Sequence, residues 1–320
     1  MERTKPFFSI VMPLYNKRNH VKKTIESAFA QTFQGFEVVV INDGSTDDSA
    51  AVVETIEDTR IRLIHQENAG VSAARNRGIK EANADYIVFL DADDLWSPEF
   101  LQIIKNLIDD YPGAGIYATA YKLLNSKGVY ESISNKGLLS ASFTGLLPSY
   151  FKLKSNNVNL VWTSAACVPK NVFFENNIWF PEGVKYYEDV YVWARIALIK
   201  DVAYSASDCA LYSLEAENST RDAMSVIVKP SDVLISLRSY VVDSKDLELK
   251  KWLNRYVDRH IYNCITRSIN AGNKRNAIKT LTNHHVYSGF FIYSLVKILT
   301  PVFVMNFLRL IKRRIRRRSN

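Results

Sequence analysis

Four short runs of β-branched and aliphatic residues, at 8–12, 37–41, 61–65 and 86–90, recur through the first ninety residues with amphipathic stretches between them. Strand-length apolar runs separated by crossover-length helices leave few folds open, because parallel strands need a helix to return the chain to the same sheet edge. The spacing predicts helices over 20–31, with Val21, Ile25, Ala28 and Phe29 on one face, over 48–56 and over 72–81. A fourth helix is announced by Ser97 as N-cap, Pro98 and Glu99, and then by Leu101, Ile104, Leu107 and Ile108 at helical spacing. Further strands are expected at 115–123, 161–168, 202–206 and 209–214, with a helix at 188–199 whose Val192, Ile196 and Ile199 share a face. The fold class is therefore α/β, a Rossmann-like and mostly parallel sheet flanked by helices.

Beyond residue 219 the pattern turns purely helical, over 226–242, 247–269 and 276–281. This divides the chain into an α/β domain, 1–222, and a helical C-terminal region, 223–320. At 320 residues and 47% apolar, the chain is large enough for a full core.

Three strand ends are unusually polar. The first runs into Pro13, Leu14, Tyr15 and Asn16, the second into Asn42-Asp43-Gly44-Ser45-Thr46-Asp47-Asp48, and the fourth into Asp91-Ala92-Asp93-Asp94. Ligands of open α/β sheets bind outside the carboxyl ends of the strands, so three such ends on one edge point to a site. On an extended chain Asp91 and Asp93 point the same way, and two hard oxygen donors suit Mg²⁺ or Mn²⁺ together with substrate phosphates. Neither GxGxxG nor a Walker pattern is present, which disfavours nicotinamide dehydrogenases and P-loop kinases. Tyr15 offers a ring for a base, or packs on the first helix. Asp43 offers an acceptor for an imide N–H of the kind uracil carries.

Arg75 and Arg77 open a predicted helix, and a guanidinium is the natural partner of a diphosphate. For Arg77 a surface pair with Glu81 is an equal alternative. Glu188 and Asp189 begin another helix, where acids commonly favour the dipole. A carboxylate so placed can also take a proton from a hydroxyl group.

These segments together resemble family 2 glycosyltransferases, inverting enzymes of the GT-A fold, over roughly residues 7–220. The carriers are Ser9-Ile-Val-Met-Pro-Leu-Tyr-Asn16, Val40-Ile-Asn-Asp-Gly-Ser-Thr-Asp47, Asn68-Ala-Gly-Val-Ser-Ala-Ala-Arg-Asn-Arg-Gly78, Phe89-Leu-Asp-Ala-Asp-Asp94 and Glu188-Asp189. The resemblance implies that Pro13, Tyr15 and Asp43 hold uracil, with Asn16 and Ala92 in the same donor-binding segments. It further implies that Arg75 lies near the uridine and diphosphate, that Asp91 touches the ribose, that Asp93 with Asp91 binds Mn²⁺ or Mg²⁺, and that Asp189, beside Glu188, is the base. Two positions depart from the family pattern. Asn42 replaces an acid, and a late histidine is missing from 211–219, where Glu215, Glu217 or water would have to serve. The expected activity is metal-dependent transfer of a hexose or N-acetylhexosamine from a UDP-sugar to a saccharide acceptor in bacterial surface polysaccharide synthesis. The rival is a catalytically inactive sugar-nucleotide or carbohydrate-binding protein on the same fold.

The formal charge is +8, and seven cations lie in the last twelve residues, leaving +1 upstream. A nucleic-acid partner is not expected, because the charge belongs to a tail. Residues 286–308 are apolar apart from Lys297, small polar residues and Asn306. Spanning a bilayer would place that lysine centrally, at a cost of about 2.5–3.5 kcal/mol, and send the cations across. The segment is expected to lie in the interface, its basic tail drawn to an anionic membrane surface, which makes a lipid-linked acceptor natural. A buried helix followed by a solvated charge run is the alternative. Three scattered cysteines and no leader-like start fit a cytoplasmic protein at the inner face of the plasma membrane.

Overall fold

A computed structural model describes residues 5–124, 130–132, 139–156, 158, 160–213, 229–287 and 289–300. Two compact units emerge, Met1–Ser219 and Thr220–Asn320. The positions of Glu215, Glu217 and the basic tail fall outside the described residues.

In the first unit the parallel heart of the sheet is β1 (Phe8–Leu14), β2 (Phe36–Asp43), β3 (Ile61–Gln66) and β4 (Tyr86–Phe89), ordered β3-β2-β1-β4. All eight residues of β2 are buried, as expected of a strand covered on both faces. Helices α1 (Val21–Phe29), α2 (Ser49–Glu54) and α3 (Val71–Glu81) make the crossovers. On α1, Val21, Ile25 and Ala28 are buried as the period requires, joined by Thr24, while Phe29 is half-buried. Helix α3 lies hard against β1. A Cβ on Gly78 would sit 2.3 Å from Val11 Cγ1, so only glycine lets the two backbones approach this closely.

The other half of the sheet is mixed. It contains β5 (Leu95–Trp96), β6 (Ile116–Leu124), β7 (Tyr130–Ser132), β8 (Thr144–Leu146), β9 (Ala166–Pro169) and β10 (Val202–Ser213). Strand β9 runs antiparallel between β4 and β6, and β10 is parallel to β6. Helices α4 (Phe100–Asp110), α5 (Tyr150–Ser155), α6 (Lys170–Glu175) and α7 (Glu188–Ala197) complete the unit.

Four sequence expectations are corrected here. Ser97 caps nothing: its carbonyl accepts from Phe100 N–H in a turn, and α4 starts after Glu99. The run 161–168 begins with a 3₁₀ turn at Thr163–Ala165, and the strand starts only at Ala166. The two expected strands after residue 202 are one, because β10 absorbs Ala206, Ser207 and Cys209 as register shifts against β6. Ile199 lies past the end of α7 and is exposed.

The second unit contains α8 (Asp232–Ser236), a 3₁₀ turn at Leu237–Val241, α9 (Leu247–Asn270), α10 (Lys274–Asn283) and α11 (Phe290–Leu299). Helix α9 buries Leu253, Val257, Ile261, Cys264 and Ile265 at helical spacing. Among the described residues no helix is long and apolar enough to cross a membrane.

Candidate active site

The ends of β1 and β2 are tied together by short polar side chains. Asn16, in the left-handed region at φ 51°, receives Thr46 N–H on its side-chain oxygen at 2.8 Å and donates its own N–H to Ser45 Oγ at 3.2 Å. Asparagine tolerates that backbone conformation better than most residues. Tyr15 is 46% exposed, which leaves much of its surface open to a ligand. Pro13 is half-buried at the end of β1.

Asp43 is nearly fully buried. Its carboxylate accepts from Ala69 N–H and Gly70 N–H at 2.9 Å each and from Gln66 Nε2 at 2.7 Å. Those three donors pin the loop that leads into α3 and leave about one of the carboxylate's four acceptor positions for a ligand. Asn42 contacts His65 Nδ1 and accepts from Ser45 N–H, an internal role that an acid is not needed for.

Asp91 and Asp93 do not lie on an extended chain. The strand stops at Phe89, and Asp94 N–H closes a turn onto the Asp91 carbonyl at 3.0 Å. The two carboxylates consequently meet different cations. Asp91 accepts twice from Arg75 Nη2, at 2.8 and 3.1 Å. Asp93 lies 2.7 Å from Lys17 Nζ, an ion pair mostly shielded from solvent. The Ala92 carbonyl points inward and accepts from Thr24 Oγ1. Ser164, in the 3₁₀ turn, takes the Asp91 N–H and donates to Asp94 at 2.6 Å, fixing the turn from below.

Arg75 is 4% exposed and is the hub of the site. Besides Asp91 it reaches Glu188 Oε1 with Nη1 at 3.1 Å, and its guanidinium lies 5.3 Å from the centroid of the Phe180 ring. Burial works against its charge, but the carboxylates of Asp91, Glu188 and Asp189 more than restore it, so its pKa is raised. Glu188 experiences the reverse. Burial first and the charge of Asp189 second push its carboxyl up to about 7, against the pull of Arg75. Asp189 accepts from Thr163 Oγ1 at 2.9 Å and from its neighbour's N–H at the start of α7. Lys154 is lowered by burial, and the Asp189 charge opposes that shift.

The segment that delivers Glu188 and Asp189 is itself held by α3. Asn76 accepts from Phe180 N–H and donates to the Phe180 carbonyl, both at 2.9 Å, and to Glu182 at 3.0 Å. Tyr187, just before α7, is left-handed at φ 69°, an uncommon conformation for a bulky residue that recurs where a site fixes the backbone. Arg77 lies on the surface, 3.6 Å from Glu81.

Strands, turns and helices distant in sequence thus assemble Asp91, Arg75, Glu188 and Asp189 into one network, with Asp93 and Lys17 at the same strand edge. Sequence reasoning overlooked Lys17, Thr163, Ser164, Asn76 and Lys154. Lys17 directly follows the polar end of β1 and was legible there. The serine and threonine were hidden by reading 161–168 as strand.

Among the described residues no three histidines, cysteines or acids gather as a metal cage. The donor set is nonetheless of the right kind. Two carboxylates at a strand end match the one or two that Mg²⁺ uses when substrate phosphates complete the shell, although both are engaged by cations here.

A family model described as glycosyl transferase family 2 matches residues 9–174, just over half of the chain. An uncharacterized glycosyltransferase of Rickettsia felis is 32% identical over 241 residues, covering 73% of this chain and 37% of the relative. The uncharacterized glycosyltransferase YibD of Escherichia coli K12 is 30% identical over 219 residues, covering 66% of this chain and 62% of that protein. The chain spans about a third of the length of its relatives in Rickettsia bellii, Rickettsia felis and Rickettsia conorii. Among solved structures, residues 1–349 of Staphylococcus aureus TarS in complex with UDP-GlcNAc align with a TM-score of 0.66 at 21% identity, over 86% of this chain and 80% of that one. The mixed sheet is therefore that of the GT-A glycosyltransferases.

Proposed function

The chain belongs to glycosyl transferase family 2, and from that premise we propose that it moves one hexose or N-acetylhexosamine from a UDP-sugar to a saccharide acceptor, inverting the anomeric centre. The observation that carries this reading is the Arg75 bridge. It joins Asp91, at the donor end of β4, to Glu188, beside the proposed base, across a sequence gap of 97 residues.

Each residue then has a task that its surroundings allow. Tyr15 stacks on the uracil and Asp43 uses its remaining acceptor position for the imide N–H. Pro13 and Asn16 shape that cradle, and Ala92 holds the turn that presents the two acids. Asp91 takes the ribose hydroxyls, and Arg75 fixes its orientation while adding positive charge near the diphosphate. Asp189, steadied by Thr163, removes the proton from the acceptor hydroxyl as its oxygen attacks the anomeric carbon. The bond to the UDP oxygen breaks on the opposite face, and UDP leaves with the electron pair. Glu188 orients Arg75. A Mg²⁺ or Mn²⁺ ion held by Asp93 and Asp91 would neutralise charge on the departing diphosphate.

The UDP-GlcNAc bound by TarS supports a UDP-sugar donor. The apolar and basic C-terminus supports an acceptor linked to lipid, at the inner face of the plasma membrane, in surface polysaccharide synthesis. Asp189→Asn tests the assignment. Transfer should fall by about 10²–10⁴-fold, the usual worth of a general base, with UDP-sugar affinity retained. Unchanged transfer would remove Asp189 from the reaction.

A further inference from the structure

Charge is divided very unevenly between the two units. Residues 1–219 hold 21 lysines and arginines against 27 acids, a net −6, whereas residues 220–320 hold 20 against 6, a net +14. Within the helical unit the cations frame an apolar surface. Helix α11 turns Phe290, Ser294 and Ile298 inward, and the Phe290 ring stacks on Tyr262 at 5.2 Å. Its other side carries Phe291, Ile292, Tyr293, Leu295, Val296 and Leu299, with Ile292 65% and Leu299 77% exposed. The helix's single charge, Lys297, is turned onto the Tyr262 ring and Thr266 Oγ1, so the outward face is uncharged. A soluble helix ordinarily keeps that face polar.

Two arginines at the start of α11 are left without acids. The guanidinium carbons of Arg255 and Arg259 lie 5.2 and 4.9 Å from the Phe290 centroid. Among the described residues neither forms an ion pair, and the Nε of each is buried with no hydrogen-bond partner. Adjacent guanidinium groups with unspent donors are a ready receptor for phosphate oxygens. At the other end of the helix, Lys274 Nζ reaches the carbonyls of Ile298 and Thr300.

We propose that this face of α11 is a docking surface for an anionic phospholipid bilayer, with Arg255 and Arg259 contacting lipid phosphates. The apolar side chains enter the acyl boundary while the cations meet the headgroups, the division of labour of interfacial helices. Charge selects lipid over a pairing of two such α11 faces, because two units at +14 repel each other. The sequence after the helix has the same character, apolar apart from Asn306 over 301–308 and then seven cations. This inference deepens the lipid-linked acceptor reading, and places membrane contact on the folded unit rather than on the tail alone.

Co-sedimentation of the full chain with phosphatidylcholine vesicles, with and without phosphatidylglycerol, tests it. Binding should need phosphatidylglycerol and weaken with salt. Arg255→Gln with Arg259→Gln should weaken it about 30-fold, from about 1 kcal/mol per cation. Ile292→Glu with Leu299→Glu, both at exposed positions and tolerable to the fold, should weaken it at least as much. Replacing the seven tail cations by glutamine should leave residual salt-sensitive binding. If the tail variant abolishes binding while the α11 variant binds like wild type, the proposal fails. It fails equally if sedimentation velocity finds a wild-type dimer that the α11 variant converts to monomer. Turnover of UDP-sugar in solution should be the same in all these variants, so its absence in the wild type would indict the donor-site reading instead.

Discussion

Replacing Arg75 by methionine keeps the length of the stem and removes the charge that holds the site together. Three hydrogen bonds disappear, two to Asp91 and one to Glu188. Stripping a buried network of its cation costs about 3–5 kcal/mol, because the carboxylates stay behind unpaired. One of them has an escape. Glu188 titrates near 7 even with Arg75 present, so at about pH 5.5 it is neutral in both proteins and only the Asp91 share is lost. The penalty of the substitution should therefore be smaller at about pH 5.5 than at about pH 8.5, by about 1.5–3 kcal/mol, the worth of one hydrogen bond between charged groups. Urea unfolding of both proteins at the two pH values measures this directly. A penalty below about 1 kcal/mol would refute the network. A penalty that does not change with pH would refute the role of Glu188 within it.

Glu188→Gln probes the same carboxyl from the other side. Since burial raises its folded pKa from an ordinary 4.5 to about 7, the proton is favoured by folding, and the wild type loses this contribution as pH rises through that window. The variant does not, so its stability relative to wild type should rise by about 3 kcal/mol between pH 4.5 and 7; a flat difference would argue against the shift. Lys17→Met should tighten Mn²⁺ binding to the donor-free protein, seen by electron paramagnetic resonance, because the ammonium 2.7 Å from Asp93 competes for the carboxylate; unchanged affinity would separate Asp93 from the metal. Gly78→Ala should destabilise by about 1–3 kcal/mol through overpacking on Val11, and Val11→Ala should restore part of it in thermal melts.

The parallel half of the sheet was legible because β1, β2 and β4 are buried runs whose hydrophobicity does not compete with any other signal. The mixed half was harder to read. Thr163 and Ser164 sit inside a stretch whose flanking valines, Val161 and Val168, suggest continuous strand, and the 3₁₀ turn exists to let Ser164 bond Asp91 and Asp94, partners 70 or more residues away. The polar Ser207-Asp208 separates the two strands expected there, yet pairing with β6 carries a single strand through with register shifts. In both places tertiary partners overrode local preference. For the site, the acids were visible as strand ends, but their division between Arg75 and Lys17 was not, because it follows from the turn at Asp91–Asp94 and not from strand alternation.

The run from Ala73 to Gly78 explains why so short a segment can organise chemistry drawn from so much of the chain. Arg75 reaches forward to the end of β4 and to α7, Asn76 clamps the segment at Phe180 and Glu182 that leads to the proposed base, and Gly78 brings α3 close enough to β1 for both reaches to succeed. The consecutive side chains Arg75 and Asn76 leave α3 about 100° apart, so one can serve the carboxylates while its neighbour serves the backbone of the loop. Rigid placement then costs little at the moment of reaction, because helix packing has fixed Arg75 before donor or acceptor arrives. A movement of α3 away from β1 would shift the donor acid and the base segment together, which makes this helix, rather than either cluster of acids, the element on which their mutual geometry depends.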